Sequence, residues 1–331
     1  MSNDFGFTGL RRNVLTSACM LASGLRWPTL GVVVAQTPGG QGSQAMAQPN
    51  SAERWGGLDP TPPPADMVEP KEPILLEYVS GGRIAIITFN RPQANNSMNT
   101  AMSVRFTEIL AEIAARPSVR VAVLTGAGKV FCHGGDLRER KDMTTEQWLR
   151  QRAEFDRTLY LLRNLRRPIF AAVNGLALGG GAEMAESVDF IIASEHAGFG
   201  QPEAMVGLSA GGGSPALLPR LLPPGMAMQM LMTGEPISAQ EAYRLGMVNK
   251  VYPHADLMRA ALEIAEKIAR NSPTAVQAVK HAAKAGQGEA LEQAVGIMME
   301  DHWISVGHPD RLEGSKAWNE RREPKYPDPA R

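Results

Sequence analysis

The chain has 331 residues, 44% hydrophobic and 21% charged, which is typical of a soluble globular protein able to bury a full core as one large domain or two small ones. Lysine plus arginine and aspartate plus glutamate both total 34, so no net charge favours nucleic acid or an anionic membrane as a partner. The two cysteines, Cys19 and Cys132, exclude a disulfide framework and a paired-cysteine metal motif, and no apolar run reaches the ~18 residues of a membrane span.

Residues 1–72 differ in composition from the rest, and we expect them to form an N-terminal extension of targeting or disordered character. No acidic residue stands between Asp4 and Glu53, and the adjacent Arg11 and Arg12 precede a modestly apolar stretch. This pattern is typical of a twin-arginine export signal, and the acid-free, arginine-bearing composition also fits an organelle transit peptide. We expect a cytoplasmic protein, with export to the periplasm or import into an organellar matrix as the alternatives.

The later part of this extension admits further interpretations. Ala45-Met46-Ala47 would serve as a small-residue cleavage site, and the proline-rich residues 60–73 are predicted to form an extended linker. Translation that starts at Met67, or a plain disordered tail, would explain the same composition without a targeting role. On each interpretation, we expect the extension to carry no chemistry.

From residue 74 onward, short apolar segments alternate with amphipathic ones. The periodicity predicts four strands, at 83–90, 121–125, 169–173 and 190–193, and two helices, at 100–116 and 144–165. The second helix has a predicted apolar stripe at Leu149, Phe155, Leu159 and Leu162. Short buried strands separated by helices indicate parallel βαβ units, whose functional sites lie at the carboxyl ends of the strands.

Helices dominate the pattern after residue 213. They are predicted at 255–270 and at 273–285, the second with a proline in its first turn. Beyond the extension, we therefore divide the chain into a core at 73–255 and a helical region at 256–331.

The most distinctive local feature is an apolar strand that runs into three glycines and then into a helix. Gly179, Gly180 and Gly181 stand at this junction, with Glu183 about one turn further along. Glycine lets a ligand approach the backbone closely, and the first N–H groups of a helix lie unpartnered at the positive end of its dipole. Such donors would stabilise a developing negative oxygen, with Glu183 placed to move a proton. A turn that only permits close packing of helix and strand explains these residues equally well.

Three motifs follow one another along the chain. They read Phe-Cys-His-Gly-Gly-Asp-Leu at 131–137, Ala-Leu-Gly-Gly-Gly-Ala-Glu at 177–183, and Phe-Gly-Gln-Pro-Glu at 199–203. Together they resemble the enoyl-CoA hydratase/isomerase (crotonase) family, and the resemblance covers residues 74–326. It implies an α/β fold, a crotonase-like spiral of ββα units with a C-terminal helical trimerisation region.

The resemblance also implies roles for individual residues. The N–H groups of Gly135 and Gly180 would form an oxyanion hole, and Glu183 and Glu203 would form an acid/base pair. Because family members that isomerise, decarboxylate or dehalogenate usually keep only one of these acids or neither, both together favour hydration of a 2-enoyl-CoA thioester. Glu186 is the competing acid nearby, and we expect it at the surface or in a salt bridge.

Further positions match the substrate-binding residues of the family: Asn96, Ser97, Met98, His133, Gly134, Asp136, Leu137, Gly179, Gly211 and Lys316. Cations that by position would hold the phosphates of coenzyme A, or else remain solvated, are Arg91, Arg138, Lys141 and Lys316. We also expect Asp136 to order its own loop. His133 departs from the family pattern, in which a small residue is usual, and so does the segment 209–215, in place of a proline-started glycine run.

Other functions stay open on the sequence. A family isomerase, or a hydrolase of a carbon–carbon bond in a non-CoA substrate, would share the glutamates and the N–H donors. One relative in the family binds RNA, but the first predicted helix carries only Arg105 before Arg116, with Glu108 and Glu112 beside it, which disfavours that role. We expect an acyl-CoA thioester as partner, with its coenzyme A part of the substrate and no separate cofactor. We also expect no metal, no nucleic acid, no membrane, and a homotrimer or a dimer of trimers.

Overall fold

A computed structural model describes residues 68–328 of the chain. The predicted export or transit signal, its cleavage site, the alternative start at Met67 and most of the proline-rich linker lie outside the described residues. Between residues 68 and 328, no helix is long and apolar enough to cross a membrane.

The described part of the chain contains ten strands. In order they are β1 (Ile74–Val79), β2 (Ile84–Phe89), β3 (Val121–Gly126), β4 (Val130–Cys132), β5 (Ile169–Val173), β6 (Leu176–Leu178), β7 (Ile191–Ser194), β8 (Gly198–Gly200), β9 (Ile237–Ser238) and β10 (Lys250–Tyr252). The four predicted strands are confirmed as β2, β3, β5 and β7, with ends that shift by no more than one residue.

The same part of the chain contains eleven α-helices. In order they are α1 (Thr100–Ala115), α2 (Leu137–Arg140), α3 (Thr145–Arg163), α4 (Gly180–Ser187), α5 (Ser214–Leu221), α6 (Pro224–Thr233), α7 (Ala239–Arg244), α8 (Leu257–Arg270), α9 (Pro273–Ala285), α10 (Leu291–Gly307) and α11 (Asp310–Asn319). The four predicted helices are confirmed as α1, α3, α8 and α9. Helix α8 starts later than predicted because His254–Asp256 form a 3₁₀ turn before it.

Six strands form the larger sheet, in the order β1-β2-β3-β5-β7-β10. β1 and β2 form an antiparallel hairpin, and the remaining neighbours pair in parallel, with Ile86 opposite Val123 and Ala172 opposite Ile192. Strands β3 and β5 are buried on both faces, so their sequences are nearly continuous apolar runs rather than alternating ones. The predicted parallel sheet is confirmed.

Four shorter strands form a second sheet, in the order β4-β6-β8-β9, and β4, β6 and β8 pair in parallel. Each of these three follows a strand of the larger sheet along the chain. A repeat therefore gives one strand to each sheet before the chain turns into helix or loop, which is the predicted ββα spiral. Because the carboxyl ends of parallel strands meet at one edge, the three glycine-bearing motifs are brought together there.

The larger sheet is covered on both faces. On one face, the ring of Phe89 makes edge contacts with Phe106 of α1, at 5.4 Å between centroids, and with Phe131 of β4, at 5.5 Å. On the other face, α8 packs through buried small residues, among them Ala261 and Ala265. The small side chains let this helix lie close to the sheet, so that the strand ends are held by packing on both sides.

One predicted core position is wrong. Leu149 of α3 is 62% exposed, whereas Phe155, Leu159 and Leu162 are buried as predicted. Leu149 precedes Phe155 by six residues, which at about 100° per residue places it roughly 120° away from the stripe. The helix therefore turns Leu149 away from the core.

Candidate active site

Two glycine turns meet at the carboxyl ends of β4 and β6. Gly134 follows β4 with φ +82°, and Gly179 follows β6 with φ +50°, both in the left-handed region that favours glycine. A β-carbon at Gly134 would stand 2.8 Å from the backbone nitrogen of Gly180 and 2.9 Å from the carbonyl oxygen of Leu178. The two turns thus touch through their backbones, and only glycine fits between them.

The N–H groups of Gly135 and Gly180 lie at this junction. The turn around Gly135 is fixed by Met98, whose N–H donates to the carbonyl of Gly134 at 2.7 Å and whose carbonyl accepts from Asp136 at 2.9 Å. Gly180 is the first residue of α4, so its N–H has no acceptor within the helix. Neither of these two N–H groups donates to another group among residues 68–328, so both are available to a ligand.

Glu183 lies in the first turn of α4 and is 2% exposed. Its carboxylate accepts a hydrogen bond from the N–H group of Gly212, and the N–H groups of Gly213 and Ser214, at the start of α5, also favour its charged form. A side chain at Gly212 would overlap this carboxylate, so the glycine there is required by close approach. Burial raises the pKa of Glu183, while the N–H donors and the charge of Arg152 oppose that rise.

Glu203 approaches the same place from the opposite side. It belongs to the 3₁₀ turn Pro202–Val206 after β8, and its Oε1 lies 2.5 Å from where a β-carbon on Gly179 would stand. Its Oε2 is buried and has no hydrogen-bond partner among the described residues. Burial, together with the charge of Glu183, raises the pKa of Glu203 to about 7, against the opposing charges of Arg152 and Arg140.

Glu186 is not at the surface, and the prediction for it is wrong. Its Oε1 accepts from Nε2 of Gln201 at 2.9 Å, and its Oε2 accepts from the hydroxyl of Ser214. Burial, followed by the charges of Glu183 and Glu203, raises the pKa of Glu186 to about 8. The physical reason is that every residue of α4 is buried, so the helix has no solvent face on which an acid could lie.

Two cavities open from the junction of the glycine turns. The first cavity, of about 520 Å³, is lined by predicted residues Ser97, His133, Gly135, Asp136, Leu137, Gly179, Gly180 and Glu203. The second cavity, of about 360 Å³, is lined by predicted residues Gly135, Gly180, Glu183, Glu203 and Gly211. The two cavities share Gly135, Arg140, Gly180, Glu203 and Leu208, so the N–H donors, one carboxyl group and one guanidinium group stand where they join.

Three residues matched to substrate binding stand behind the cavity wall instead of lining it. Asn96 is fully buried, and its amide group donates to the carbonyls of Ala127, at 3.0 Å, and Val130, at 2.7 Å. Met98 is 2% exposed and contributes its backbone to the turn, and Gly134 is buried against Gly180. These residues hold the lining in place.

The four cations considered for phosphate binding differ in their burial and in whether they line a cavity. Arg91 is fully buried and pairs with Glu69 and with Asp136, at 3.1 Å, so its guanidinium is committed inside the protein and the phosphate prediction is wrong for it. Arg138 lines the first cavity. Lys141 and Lys316 are exposed and line neither of the two cavities.

Asp136 orders its loop as predicted, and it also lines the first cavity. Its Oδ1 accepts from the N–H of Arg138 at 3.1 Å and caps α2, while its Oδ2 pairs with Arg91. Burial opposes ionisation, but the two arginines prevail and lower the pKa of Asp136. The carboxylate is therefore a fixed part of the wall.

The sequence interpretation missed two arginines of the second cavity, Arg140 and Arg152. Arg140 ends the short helix α2 and Arg152 lies in α3, so only the tertiary fold brings them together. One signal was available: Arg152 and Phe155 stand three residues apart on α3, and therefore on one helix face. An arginine that shares a helix face with a buried aromatic side chain is a candidate for a residue that lines a cavity.

The arrangement has the parts needed for chemistry on a carbonyl compound. Two main-chain N–H groups, preorganised by glycine turns and a helix terminus, can hold a developing oxyanion. Two carboxyl groups of raised pKa, Glu183 and Glu203, line the second cavity and can accept or donate protons, with the pKa of Glu203 at about 7.

Comparison with known proteins places this geometry among relatives. A sequence profile described as enoyl-CoA hydratase/isomerase matches residues 80–329. The chain is 38% identical over 243 residues to a short-chain-enoyl-CoA hydratase of Clostridium acetobutylicum, covering 73% of this chain and 93% of that protein. It is 40% identical over 255 residues to an (E)-benzylidenesuccinyl-CoA hydratase of Thauera aromatica, covering 77% and 98%. A crystal structure of an enoyl-CoA hydratase from Bacillus anthracis superposes with a TM-score of 0.75 at 38% identity, covering 77% of this chain and 99% of that one.

Proposed function

This chain belongs to the enoyl-CoA hydratase/isomerase family, and from that premise we propose that it hydrates 2-enoyl-CoA thioesters. The observation that carries the proposal is a set of groups around one place: the N–H groups of Gly135 and Gly180 and the half-buried Glu203 at the junction of two cavities, with the buried Glu183 lining the second cavity beside them. Hydratases among the relatives, at identities near 40%, support the reaction class.

The N–H pair would act on the thioester carbonyl. Attack of water at the β-carbon pushes electrons onto this oxygen and forms an enolate, whose negative charge the N–H groups of Gly135 and Gly180 stabilise. Loss of one such donor in an enzyme costs about 2.7–4 kcal/mol of transition-state stabilisation. The donors need not reorganise during the reaction, because the glycine turns and α4 hold them in place.

The two carboxyl groups would then move the protons. Glu183, whose charged form is favoured by three N–H donors, takes a proton from the attacking water as the oxygen bonds to the β-carbon. Glu203, with a pKa of about 7 and an unpartnered oxygen, is protonated below that pH and gives its proton to the α-carbon of the enolate. One water molecule is added in all, and a proton must pass from Glu183 to Glu203 through solvent before the next turnover.

The first cavity would hold the coenzyme A side of the substrate. It carries Arg138 and the backbone turn at Ser97 and His133, beside the shared N–H donors. Coenzyme A enters here as part of the substrate, and we propose no separate cofactor for the reaction.

The isomerase alternative is disfavoured by the second acid. Moving a double bond needs one carboxyl group that carries a proton between two carbons. A second carboxyl group lining the same cavity is the arrangement that activation of water requires.

The test uses the full chain with crotonyl-CoA and, separately, with a 3-enoyl-CoA. We expect loss of the absorbance of the conjugated thioester in the first reaction, with a 3-hydroxyacyl-CoA product identified by mass spectrometry. Fast formation of the conjugated thioester from the 3-enoyl-CoA without hydration of crotonyl-CoA would assign an isomerase instead.

We also propose the homotrimer, or a dimer of such trimers, that the family resemblance implies. Its support is a set of exposed apolar side chains on α10 and α11: Leu291, Val295, Trp303, Ile304, Leu312 and Trp318. Exposed apolar surface of this kind is typical of a protein–protein contact. Light scattering coupled to gel filtration should give three or six chains per particle, and a monomer would contradict the proposal.

A further inference from the structure

We infer that the second cavity binds a carboxylate carried by the acyl part of the substrate, so that the favoured substrates are 2-enoyl-CoA thioesters with a free carboxylate at the far end of the acyl group. The inference rests on the proposed function, which puts the thioester carbonyl at the junction of the two cavities. The observation that carries it is the pair of guanidinium groups, Arg140 and Arg152, that line the second cavity beside Glu183 and Glu203.

Arg140 is held in position by the protein itself. Its Nε donates to Oε1 of Gln151 at 2.7 Å, and its guanidinium carbon lies 4.9 Å from the centre of the Trp148 ring. Gln151 is buried and donates in turn to the hydroxyl of Thr100 at 3.0 Å, which fixes its amide group. Within residues 68–328, Nη1 and Nη2 of Arg140 make no hydrogen bond, and they lie against Gly135 where the cavities join.

Arg152 uses one of its three guanidinium nitrogens to donate a hydrogen bond to a protein side chain. Its Nη2 donates to Asp156 at 2.5 Å, and the side chain of Asp156 is 54% exposed, at the rim. Its guanidinium carbon lies 5.5 Å from the centre of the Phe155 ring, and its Nη1 stands 3.1 Å from where a β-carbon on Gly211 would be. In the described part of the chain, Nε and Nη1 of Arg152 donate to no protein group, so donors of both arginines remain for a ligand.

The charges of the second cavity leave room for one more anion. Five charged or titratable side chains line it, namely Arg140, Arg152, Asp156, Glu183 and Glu203. The N–H donors of residues 212–214 meet the charge of Glu183, Arg152 meets that of Asp156, and Glu203 carries a proton when it acts as the acid. Burial and the charge of Arg152 both lower the pKa of Arg140, so the two cations repel each other and an anion between them would relieve the repulsion.

A carboxylate suits these donors better than an alkyl chain or a phosphate of coenzyme A. An alkyl chain would strip water from two guanidinium groups and return no hydrogen bond, which is unfavourable. A carboxylate accepts charge-assisted, often bidentate hydrogen bonds from arginine. Arg140 lines both cavities, where they join, whereas Arg152 lines only the second and is not among the residues of the first, where the coenzyme A side of the substrate would lie.

The test compares two saturated thioesters by calorimetry, so that binding is measured without turnover. Glutaryl-CoA ends in a carboxylate, and 5-methylhexanoyl-CoA places an isopropyl group at the same carbon. The full wild-type chain should bind glutaryl-CoA at least about 10-fold more tightly, and Arg140→Gln or Arg152→Gln should reduce that preference by about 10- to 100-fold, the value of hydrogen bonds to a charged group. The control is Arg150→Gln, an arginine of the same helix that is 75% exposed and paired with Glu146, and it should keep the preference.

Equal or tighter binding of 5-methylhexanoyl-CoA by the wild type would overturn the inference. Equal losses for both thioesters and for free coenzyme A in the arginine variants would also overturn it, because the arginines would then act on the phosphates or on the fold. Hydration of crotonyl-CoA, which lacks a carboxylate, tests the proposed function separately. A preference for glutaryl-CoA without hydration of crotonyl-CoA would support the carboxylate subsite and contradict the proposed hydratase function. Hydration of crotonyl-CoA without that preference would support the hydratase function and contradict the subsite.

Discussion

Helix α4 carries two acids, Glu183 and Glu186, that the molecule surrounds in different ways. Glu183 accepts a hydrogen bond from the backbone N–H group of Gly212 and lines the second cavity. Glu186, three residues on, is enclosed by the side chains of Gln201 and Ser214 and lines neither of the two cavities described above. We call the region around Glu183 and Glu203 the open pair and the region around Glu186 the closed cluster.

Burial alone does not distinguish the two regions, because it raises the pKa of all three acids. What differs is access. In the open pair, an oxygen of Glu203 has no protein partner among the described residues, whereas both oxygens of Glu186 are hydrogen-bonded inside the closed cluster. A perturbed pKa therefore marks a candidate for chemistry only where a cavity also reaches the group.

The largest change expected outside the acids themselves comes from Gly134→Ala, which disrupts the glycine turn that carries the proposed oxyanion donor Gly135. The new β-carbon would stand 2.8 Å from the nitrogen of Gly180, and φ at this position is +82°. Displacement of an oxyanion donor should lower kcat about 10²- to 10³-fold, measured with crotonyl-CoA. The closed cluster should stay intact.

A matched control variant separates the effect of backbone strain at positive φ from the effect of the close contact between the new β-carbon and Gly180. Gly246 also has positive φ, at +91°, but a β-carbon there meets nothing within 4 Å. Gly246→Ala should lower the free energy of unfolding by about 1–2 kcal/mol through backbone strain and keep most of kcat. Equal losses of kcat in both variants would contradict the role given to the turn at Gly134.

A pH profile sharpens the comparison at an intermediate scale. The pKa of Glu203 is about 7, and the acid role needs its protonated form, so kcat/KM should fall about 10-fold per pH unit above that value. Because the charge of Arg152 lowers the pKa of Glu203, Arg152→Gln should move this alkaline limb to higher pH. If the alkaline limb of Arg152→Gln lay at the same pH as that of the wild type, the charge of Arg152 would not be acting on the pKa of Glu203.

The smallest effect on rate is expected in the closed cluster. Since the pKa of Glu186 is about 8, the group is protonated at neutral pH, and Glu186→Gln should keep kcat within about fivefold. Glu186→Ala leaves Gln201 and Ser214 without their partner and should lower the free energy of unfolding by about 2–5 kcal/mol in chemical denaturation.

The same cluster should make stability depend on pH. The folded-state pKa of Glu186, about 8, lies above its ordinary value of 4.5, so the folded protein binds more protons between these two values. Its contribution to the free energy of unfolding is therefore complete below pH 4.5 and is lost as the pH rises through 8. The raised pKa of Glu203 gives a pH dependence of the same sign. The measurement is therefore the slope of the free energy of unfolding against pH in the wild type minus that slope in Glu186→Gln, and this difference should be negative. A difference of zero would contradict the closed cluster.

Most of the fold could be predicted from the sequence because its signals are local. The apolar run of β5 and the proline-started α9 have the predicted bounds, since burial on both faces and a first-turn proline each leave a clear pattern. The glycine motifs likewise mark turns whose backbone conformation few other residues adopt.

The rest depends on contacts between distant segments. Glu186 was expected at the surface or in a salt bridge, and only the approach of Ser214 on α5 and of Gln201, which follows β8, encloses it. Asn96 and Arg91 carry donors that suit a ligand, but the folded chain uses them for its own carbonyls and carboxylates. The arginines of the second cavity come from two helices whose approach no local pattern encodes.

The most direct test of this account compares Glu183→Gln, Glu203→Gln and Glu186→Gln in one hydration assay with crotonyl-CoA, with folding of each variant checked by circular dichroism. Loss of one acid or base of the open pair should lower kcat about 10²- to 10⁴-fold, while Glu186→Gln stays close to wild type. Loss of activity in Glu186→Gln together with retained activity in Glu203→Gln would contradict the assignment of chemistry to the open pair.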